Sequence, residues 1–355
     1  IAELSVPGSR FPLEGASDAD IGANAQLTYT LSPSEHFSLD LQKLSDGNIE
    51  TELVLTKSLD RETIPVHRLV LTATDGGRPS LTGTMELVIS VEDANDNAPK
   101  FNQSVYQVQL PESAGVGTLV TRVNATDADE GINSEVTYGV TNFIPPSGKD
   151  VISINPNTGE IHLTAPLDFE EVKVFNFRIE AKDKGTPSLS GHCKVVLEVL
   201  DVNDNAPEVW VTSLSVPVAE DASVGTVVAL LSVSDRDSGE NGRVRCWVQS
   251  EHFSLEVKSK DENKVSVLLV LTKSLDRETI PVHRLVLTAT DGGRPSLTGT
   301  MELVITVLDA NDNAPQFNQS VYKVKLPENT APGTVFFQLT ATDKDEGINQ
   351  EIYYS

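Results

Sequence analysis

The heptapeptide D-A-N-D-N-A-P at Asp93–Pro99 places two aspartates and two asparagines in five residues and ends on a proline. Related copies stand at Asp201–Pro207 (D-V-N-D-N-A-P) and Asp309–Pro315 (D-A-N-D-N-A-P), and both steps are 108 residues long. A chain of 355 residues with this period is an array of repeats, each long enough to bury its own core. We call the three segments the first, second and third linkers, because each marks a boundary between repeats.

Other markers recur in phase with the linkers. They are an L-D-R-E or L-D-F-E element (59–62, 167–170, 275–278), a D-x-D-x-G-x-N element (18–24, 127–133, 235–241, 343–349) and an opening glutamate (Glu3, Glu112, Glu220, Glu328). We therefore predict three repeats and part of a fourth, at residues 1–99, 100–207, 208–315 and 316–355. Leu53–Ile89 returns residue for residue as Leu269–Ile305, so the third repeat is a mosaic whose C-terminal half copies the first. Duplication, gene conversion, an engineered chimera and a faulty gene assembly all explain this copy.

Between the markers the hydrophobic pattern has period two. In V-F-N-F-R-I-E-A-K-D, residues 174–183, apolar side chains alternate with polar ones, as in a half-buried strand. The stretches M-E-L-V-I-S-V-E-D (85–93) and Y-K-V-K-L-P-E (322–328) alternate in the same way, and no helical run of 12 residues is convincing. The sequence predicts an all-β fold of tandem Greek-key, seven-stranded β-sandwiches, stacked as a linear rod.

Composition excludes some functions. A net charge of −25 leaves no basic surplus for nucleic acid and favours cations as partners. Cys193 and Cys246 fall in different repeats, so we expect two buried, unpaired thiols. Sequons at Asn102, Asn124 and Asn318 permit glycosylation if the chain is secreted. With no signal peptide and no long apolar stretch, we interpret the chain as an excised ectodomain fragment.

The acidic markers predict a metal site. If sandwiches stack end to end, the boundary of the second and third repeats gathers eight carboxylates, those of Glu112, Asp168, Glu170, Asp201, Asp204, Asp235, Asp237 and Asp291. Two such charges 4 Å apart repel by about 4 kcal/mol at an effective dielectric constant of 20. Oxygen ligands alone suit calcium, whereas magnesium keeps more water and zinc prefers Cys and His. A solvated turn explains one D-x-D, but not several markers recurring in phase.

These motifs, taken together and in order, resemble cadherin extracellular repeats over essentially the whole chain. The stretch L-T-K-S-L-D-R-E-T-I-P-V-H-R-L-V-L-T-A-T-D-G-G-R-P-S-L-T-G-T at 55–84 is most similar to clustered protocadherins of the alpha type. The resemblance makes residues 1–99 similar to the second ectodomain repeat and residues 100–207 similar to the third. Residues 208–249 resemble the start of a fourth repeat, and the copied part from Ser250 onward is again second-repeat-like.

The resemblance implies three calcium ions per complete junction and a ligand set at each. At the first junction the set is Glu3, Asp60, Glu62, Asp93, Ala94, Asn95, Asp96, Asn97, Asp127, Asp129, Asn133 and Asp183. At the second it is Glu112, Asp168, Glu170, Asp201, Val202, Asn203, Asp204, Asn205, Asp235, Asp237, Asn241 and Asp291. At the third it is Glu220, Asp276, Glu278, Asp309, Ala310, Asn311, Asp312, Asn313, Asp343, Asp345 and Asn349. A half-site toward an upstream repeat comprises Asp18, Asp20, Asn24 and Asp75. Phe169 replaces the arginine of L-D-R-E, but Asp168 and Glu170 keep the carboxylates.

The resemblance also implies a function. We expect calcium-dependent cell-surface adhesion, with antiparallel trans contact between identical molecules and related protocadherins as partners in cis. The protein would be extracellular and anchored by a transmembrane segment absent from these residues. A passive calcium-stiffened spacer is the alternative, and strand-exchanging adhesion cadherins are another branch of the same family. An enzyme is disfavoured, because the six histidines are scattered and no nucleophile or phosphate-binding motif occurs.

Overall fold

The structure is a computed structural model that describes residues 1–44, 49–261 and 263–355. It divides into two compact units, Ile1–Leu167 with Val172–Val199, and Asp168–Glu171 with Leu200–Ser355. The described residues form β-strands and short 3-10 helices, the latter at Gly22–Ala25, Gly131–Ser134, Pro146–Asp150 and Gly347–Gln350. The all-β prediction is therefore confirmed.

The first unit begins with a β-sandwich of two three-stranded sheets. Its strands are β1 (Arg10–Leu13), β2 (Thr28–Leu31), β3 (Phe37–Lys43), β4 (Ile49–Leu55), β5 (Val66–Thr74) and β6 (Thr82–Ser90). One sheet has the order β1-β4-β3 and the other the order β2-β5-β6. Phe37, Leu55 and Leu69 pack in one cluster between them. A parallel bridge from Ala2 to Glu92 brings the first residues beside the start of the first linker.

The second sandwich of this unit follows the first linker. Its strands are β7 (Lys100–Phe101), β8 (Val105–Pro111), β9 (Leu119–Arg122), β10 (Ala125–Thr126), β11 (Thr137–Ile144), β12 (Ile152–Ile154), β13 (Glu160–Leu163), β14 (Val174–Lys182) and β15 (Ser190–Leu200). The sheets are β11-β14-β15-β8 and β12-β13-β9, and β7 pairs with β10. The inward side chains of β14 are buried as the alternation predicts, at Phe175, Phe177, Ile179 and Ala181.

The second unit contains one complete sandwich and a short strand pair. Its strands are β16 (Glu208–Leu214), β17 (Val218–Ala219), β18 (Val227–Ser234), β19 (Arg245–Val248), β20 (Phe253–Lys260), β21 (Lys264–Leu271), β22 (Val282–Thr290), β23 (Thr298–Leu308), β24 (Gln316–Phe317) and β25 (Ala341–Thr342). The two sheets have the strand orders β16-β18-β21-β20 and β17-β23-β22-β19. The chain crosses between them several times, as in a Greek-key sandwich. Leu231 and Leu269 from one sheet pack with Leu287 and Ile305 from the other.

Two details of the strand prediction are wrong. Residues 322–328 alternate in sequence but form no strand, and Val324 and Leu326 are exposed. The corresponding strand of the second sandwich, β8, pairs with β15, and the described residues after 315 contain no such partner. Met85, expected on the core side of β6, is 41% exposed, and β6 is an edge strand of its sheet.

Both cysteines are unpaired, as predicted, but only one of the two is buried. Cys193 on β15 is buried, Cys246 on β19 is half-buried, and both are free thiols. No helix of the described residues is long and apolar enough to cross a membrane.

Candidate metal centres

Glu3 connects three segments of the first unit. It is 4% exposed, and its carboxylate oxygens accept hydrogen bonds from Arg61 N at 2.6 Å and from Ala94 N at 3.2 Å. One oxygen each of Glu3, Glu62 and Asp93 lies within 4.8 Å of the others. Burial, together with the charge of Glu3, raises the pKa of Glu62. The opening glutamate therefore belongs to the same acidic cluster as the L-D-R-E element and the first linker.

The D-x-D loop of the second sandwich lies on the first linker. Asp129 is buried and accepts hydrogen bonds from Asn97 N at 3.2 Å and from Asn97 Nδ2 at 2.8 Å. Asp127 Oδ1 in turn accepts one from Asp129 N at 3.0 Å. Oxygens of Glu62, Asp96 and Asp129 form a second group within 4.8 Å. Asn97 thus connects the first linker to the D-x-D loop of the second sandwich, and both segments carry carboxylates.

Asp93 and Asp60 are held by donors that favour their ionised forms. Asp93 Oδ2 accepts hydrogen bonds from Asn133 Nδ2 at 2.8 Å and Glu130 N at 3.1 Å. Burial opposes ionisation, but these bonds and the Arg61 guanidinium hold the pKa of Asp93 below its usual value. The hydroxyl and backbone N–H of Thr63 bond Asp60 and lower its pKa. Both groups are therefore charged at neutral pH.

Asn95 and Asp183 extend the centre into the second sandwich. Asn95 Nδ2 donates hydrogen bonds to Pro187 O at 2.6 Å and to Asp183 Oδ1 at 3.2 Å. Among the described residues, Asn95 Oδ1 and Asp127 Oδ2 are buried acceptors without a hydrogen-bond partner. Burial, with the charges of Asp129 and Asp183, raises the pKa of Asp127. Buried acceptors of this kind are costly unless something satisfies them, and a cation does so.

The third linker repeats this arrangement inside the second unit. Glu220 accepts hydrogen bonds from Arg277 N at 2.8 Å and Ala310 N at 2.6 Å. One oxygen each of Glu220, Glu278 and Asp309 lies within 4.8 Å of the others. The remaining bonds match those of the first linker: Asn313 Nδ2 to Asp345 Oδ1 at 2.8 Å, Asn349 Nδ2 to Asp309 Oδ2 at 2.8 Å, Asp345 N to Asp343 Oδ1 at 3.0 Å, and Thr279 N to Asp276 Oδ1 at 2.9 Å. Asn311 and Asp312 are exposed.

The second linker also lies in the second unit. Oxygens of Glu170, Asp201 and Asp237 form a group within 4.8 Å. The linker makes the bonds seen at the first: Asn205 Nδ2 to Asp204 Oδ1 at 2.6 Å and to Asp237 Oδ1 at 2.7 Å, Asn241 Nδ2 to Asp201 Oδ2 at 2.8 Å, and Asn203 Nδ2 to Pro295 O at 2.8 Å. Glu171 N donates to Asp168 Oδ1 at 3.0 Å. Glu112, in the first unit, is buried.

Asp235 is a buried carboxyl of the D-x-D loop at the second linker. Burial, followed by the nearby charges of Asp237 and Asp291, raises its pKa to about 6. Its Oδ2 atom and Asn203 Oδ1 are buried acceptors with no hydrogen-bond partner among the described residues. The corresponding atoms at the first linker, Asn95 Oδ1 and Asp127 Oδ2, also lack a hydrogen-bond partner among the described residues. The same two acceptors are therefore unsatisfied at both linkers.

The predicted half-site differs from the linker centres. Asp18, Asp20 and Asn24 are exposed and Asp75 is half-buried, whereas Asp183 and Asp291 are buried. The loop keeps its local bonds, from Asp20 N to Asp18 Oδ1 at 2.8 Å and from Gly77 N to Asp75 Oδ1 at 2.9 Å. The three sequon asparagines, Asn102, Asn124 and Asn318, are exposed.

The donor chemistry fits a hard divalent cation. The clusters above offer carboxylate and amide oxygens, which calcium prefers, and each holds at least three carboxylates within 4.8 Å. Sequence reasoning gave no role to Arg61 and Arg277, whose Nε atoms bond Asp93 at 2.6 Å and Asp309 at 2.7 Å. The arginine of L-D-R-E was visible in the sequence, but its contact with the linker depends on the fold.

Comparisons with known proteins agree with this architecture. The cadherin domain family matches residues 1–92, 106–200 and 214–308. Over all 355 residues the chain is 52% identical to human protocadherin alpha-5, covering 38% of that protein, and 50% identical to chimpanzee (Pan troglodytes) protocadherin alpha-8, covering 37%. The chain therefore spans well under half the length of these relatives.

Solved structures show the same fold. Extracellular cadherin domains 1–5 of protocadherin gamma B2 superpose with a TM-score of 0.91 at 42% identity, over 99% of this chain and 65% of that one. The extracellular domain of protocadherin gamma B4 gives 0.89 at 43% identity, over 99% of this chain and 54% of that one. Cadherins and protocadherins are non-enzymatic adhesion proteins, and the acidic clusters of this chain are consistent with calcium binding. The chain belongs to the cadherin family, as extracellular repeats of the clustered protocadherin kind.

Proposed function

We propose that this chain is the calcium-stiffened recognition segment of a cell-surface adhesion protein that binds an identical molecule in trans, in antiparallel orientation. The observation that carries the calcium part is the pair of orphaned buried acceptors, Asn95 Oδ1 and Asp127 Oδ2, beside a carboxylate cluster. The identity of 52% with protocadherin alpha-5 supports the adhesion part. We also propose the repeat boundaries predicted from the recurring sequence motifs, at residues 1–99, 100–207, 208–315 and 316–355.

Electrostatics explains why calcium would stiffen the linkers. Each pair of carboxylates 4 Å apart costs about 4 kcal/mol at an effective dielectric constant of 20, and each divalent ion converts such repulsion into attraction. The ligands we propose are the three junction sets given by the family motifs, with three ions per complete junction. Extracellular modules bind calcium with dissociation constants of roughly 10⁻⁴–10⁻³ M, so the ions would be bound outside cells and lost inside.

Recognition would use sheet faces that calcium holds in a fixed arrangement. The first sandwich exposes Val66, Val70 and Val88 on its β5 and β6 strands, and apolar side chains on a rigid sheet suit a protein partner. We propose an identical molecule in trans, related protocadherins in cis, and an extracellular location with anchoring through a membrane segment outside these residues.

Bead aggregation with a calcium titration tests the proposal. Beads coated with the chain should clump at millimolar calcium and disperse in chelator, and small-angle scattering of the free chain should show a larger, less flexible particle with calcium. Scattering that does not change with calcium would disprove the metal part. Calcium-dependent stiffening without clumping at any concentration would instead support a passive spacer.

A further inference from the structure

Gly191 on β15 lies directly against the backbone of the first linker. A Cβ atom on Gly191 would stand 1.8 Å from Pro99 O, and one on Gly299 would stand 1.8 Å from Pro207 O at the second linker. Backbone conformation does not require glycine at either position, because neither has a positive φ. The close approach of the linker carbonyl is therefore what leaves no room for a side chain.

A second glycine lies against the first asparagine of the first linker, and another against that of the second. A Cβ on Gly185 would stand 2.3 Å from Asn95 Cγ, and one on Gly293 would stand 2.2 Å from Asn203 Cγ. The asparagine amide that rests there donates to Pro187 O at 2.6 Å, so its position is held from two sides. The two glycines contact the first linker at residues 95 and 99, and the candidate ligands Asp96 and Asn97 lie between these contacts.

The first sandwich provides an internal comparison. Gly83 occupies the position of Gly299 within the copied stretch, yet no atom of the described residues lies within 4 Å of its added Cβ. Gly77, the counterpart of Gly293, would meet atoms no closer than 3.2 Å. Because the local sequence is identical, the contacts shorter than 3 Å at Gly293 and Gly299 arise from the linker.

We propose that Gly185 with Gly191, and Gly293 with Gly299, are positioning residues that seat the linkers and set the register of their calcium ligands. The calcium part rests on the proposed function. A methyl group at Gly191 requires the linker to move by more than about 1 Å to restore normal contact, whereas metal sites need distances within about 0.2 Å of ideal. The displaced linker then loses ligand geometry without losing any ligand.

The first test compares calcium binding of Gly191→Ala, Gly83→Ala and the unchanged chain by isothermal titration. In Gly191→Ala a subset of sites should weaken at least about tenfold, because the ligand geometry of a bound ion tolerates little displacement. Gly83→Ala should bind like the unchanged chain, since its methyl group has free space. Equal binding by all three would overturn the proposal. Circular dichroism of each protein checks that the strands form.

The second test needs no calcium. Lys100 is exposed and lies on β7, which pairs with β10, so trypsin should cut after Lys100 slowly while the linker is seated. In chelator, Gly191→Ala should be cut there first and Gly83→Ala should not, as read by mass spectrometry. Cutting after Lys100 at the same rate in both variants would overturn the seating role.

The two tests distinguish failure of the proposed calcium function from failure of the seating role of the glycines. If the unchanged chain binds no calcium, the proposed function fails and the trypsin assay still decides the seating role. If Gly191→Ala is unfolded and is cut at every Lys and Arg, Gly185→Ala takes its place. Its methyl group meets the Asn95 side chain rather than the backbone, so the fold should survive. Cutting after Lys100 that does not increase in that variant would equally overturn the proposal.

Discussion

Arg61 Nε lies 2.6 Å from Asp93 Oδ1, and this ion pair joins the L-D-R-E element to the first linker. Arg61 Nη2 also donates to Ala128 O at 3.0 Å, in the D-x-D loop of the next sandwich. One side chain thus contacts three segments that carry candidate calcium ligands. The guanidinium supplies positive charge inside a cluster of carboxylates, as a bound cation would.

Arg61→Met should lower the thermal unfolding midpoint of the calcium-free chain by about 5 °C, because the carboxylates around Asp93 lose their positive neighbour. In saturating calcium the loss should be less than half as large, since bound ions then supply the charge. Arg68→Met is the matched control: its pair with Glu86 is exposed and should contribute little. An equal loss with and without calcium would contradict the charge explanation. Calorimetry in chelator and in calcium measures both.

Asp127→Asn should have opposite effects in the two states. Without calcium it should stabilise the chain, because burial and the charges of Asp129 and Asp183 already raise the pKa of Asp127 and so disfavour its ionised form. With calcium it should weaken binding at the first linker by about tenfold or more, because a charged ligand is lost. Asp150→Asn, on an exposed carboxyl, should do neither. Destabilisation of the calcium-free chain by Asp127→Asn would contradict this prediction.

The raised pKa of Asp235 predicts how the stability of the calcium-free chain changes with pH. Its pKa is about 6 in the folded chain against an ordinary value of 3.8, so between these values the folded state binds more protons than the unfolded state. The calcium-free chain should therefore gain stability as the pH falls from 7 through 6, and Asp235→Asn should remove part of that gain. Denaturant titrations at several pH values measure it, and an undiminished gain in Asp235→Asn would contradict the prediction.

The affinity for calcium should also depend on pH. Protons compete with the ion for Asp235, so the affinity at the second linker should fall as the pH drops below about 6. Calcium titrations at pH 7.5 and pH 5.5 test this. An affinity that is the same at both pH values would show that Asp235 does not bind the ion.

Cys193 should resist alkylation in the folded chain. Burial raises the pKa of its thiol to about 12, so the reactive thiolate is scarce at neutral pH. We expect iodoacetamide to label Cys193 only at the rate of unfolding and to label the half-buried Cys246 faster. Peptide mass spectrometry of a labelling time course distinguishes the two, and rapid labelling of Cys193 would contradict its buried position.

The sequence by itself determined the repeat period, the all-β fold and the acidic character of the linkers. These features depend on local spacing: alternation along residues 174–183 places Phe177 and Ile179 on one face of a strand whatever surrounds it. Alternation fails as a predictor at residues 322–328, because a strand also needs a neighbouring strand for its backbone hydrogen bonds.

Only the tertiary structure decided which oxygens meet and which remain unpaired. Asn95 and Asp183 are 88 residues apart, and the fold alone brings the amide of one to the carboxylate of the other. Gly83 and Gly299 have identical local sequences, yet one is open and the other is pressed against a linker carbonyl. The physical reason is that side-chain direction follows from the local chain, whereas contact and burial depend on segments that are distant in sequence and packed together by the fold.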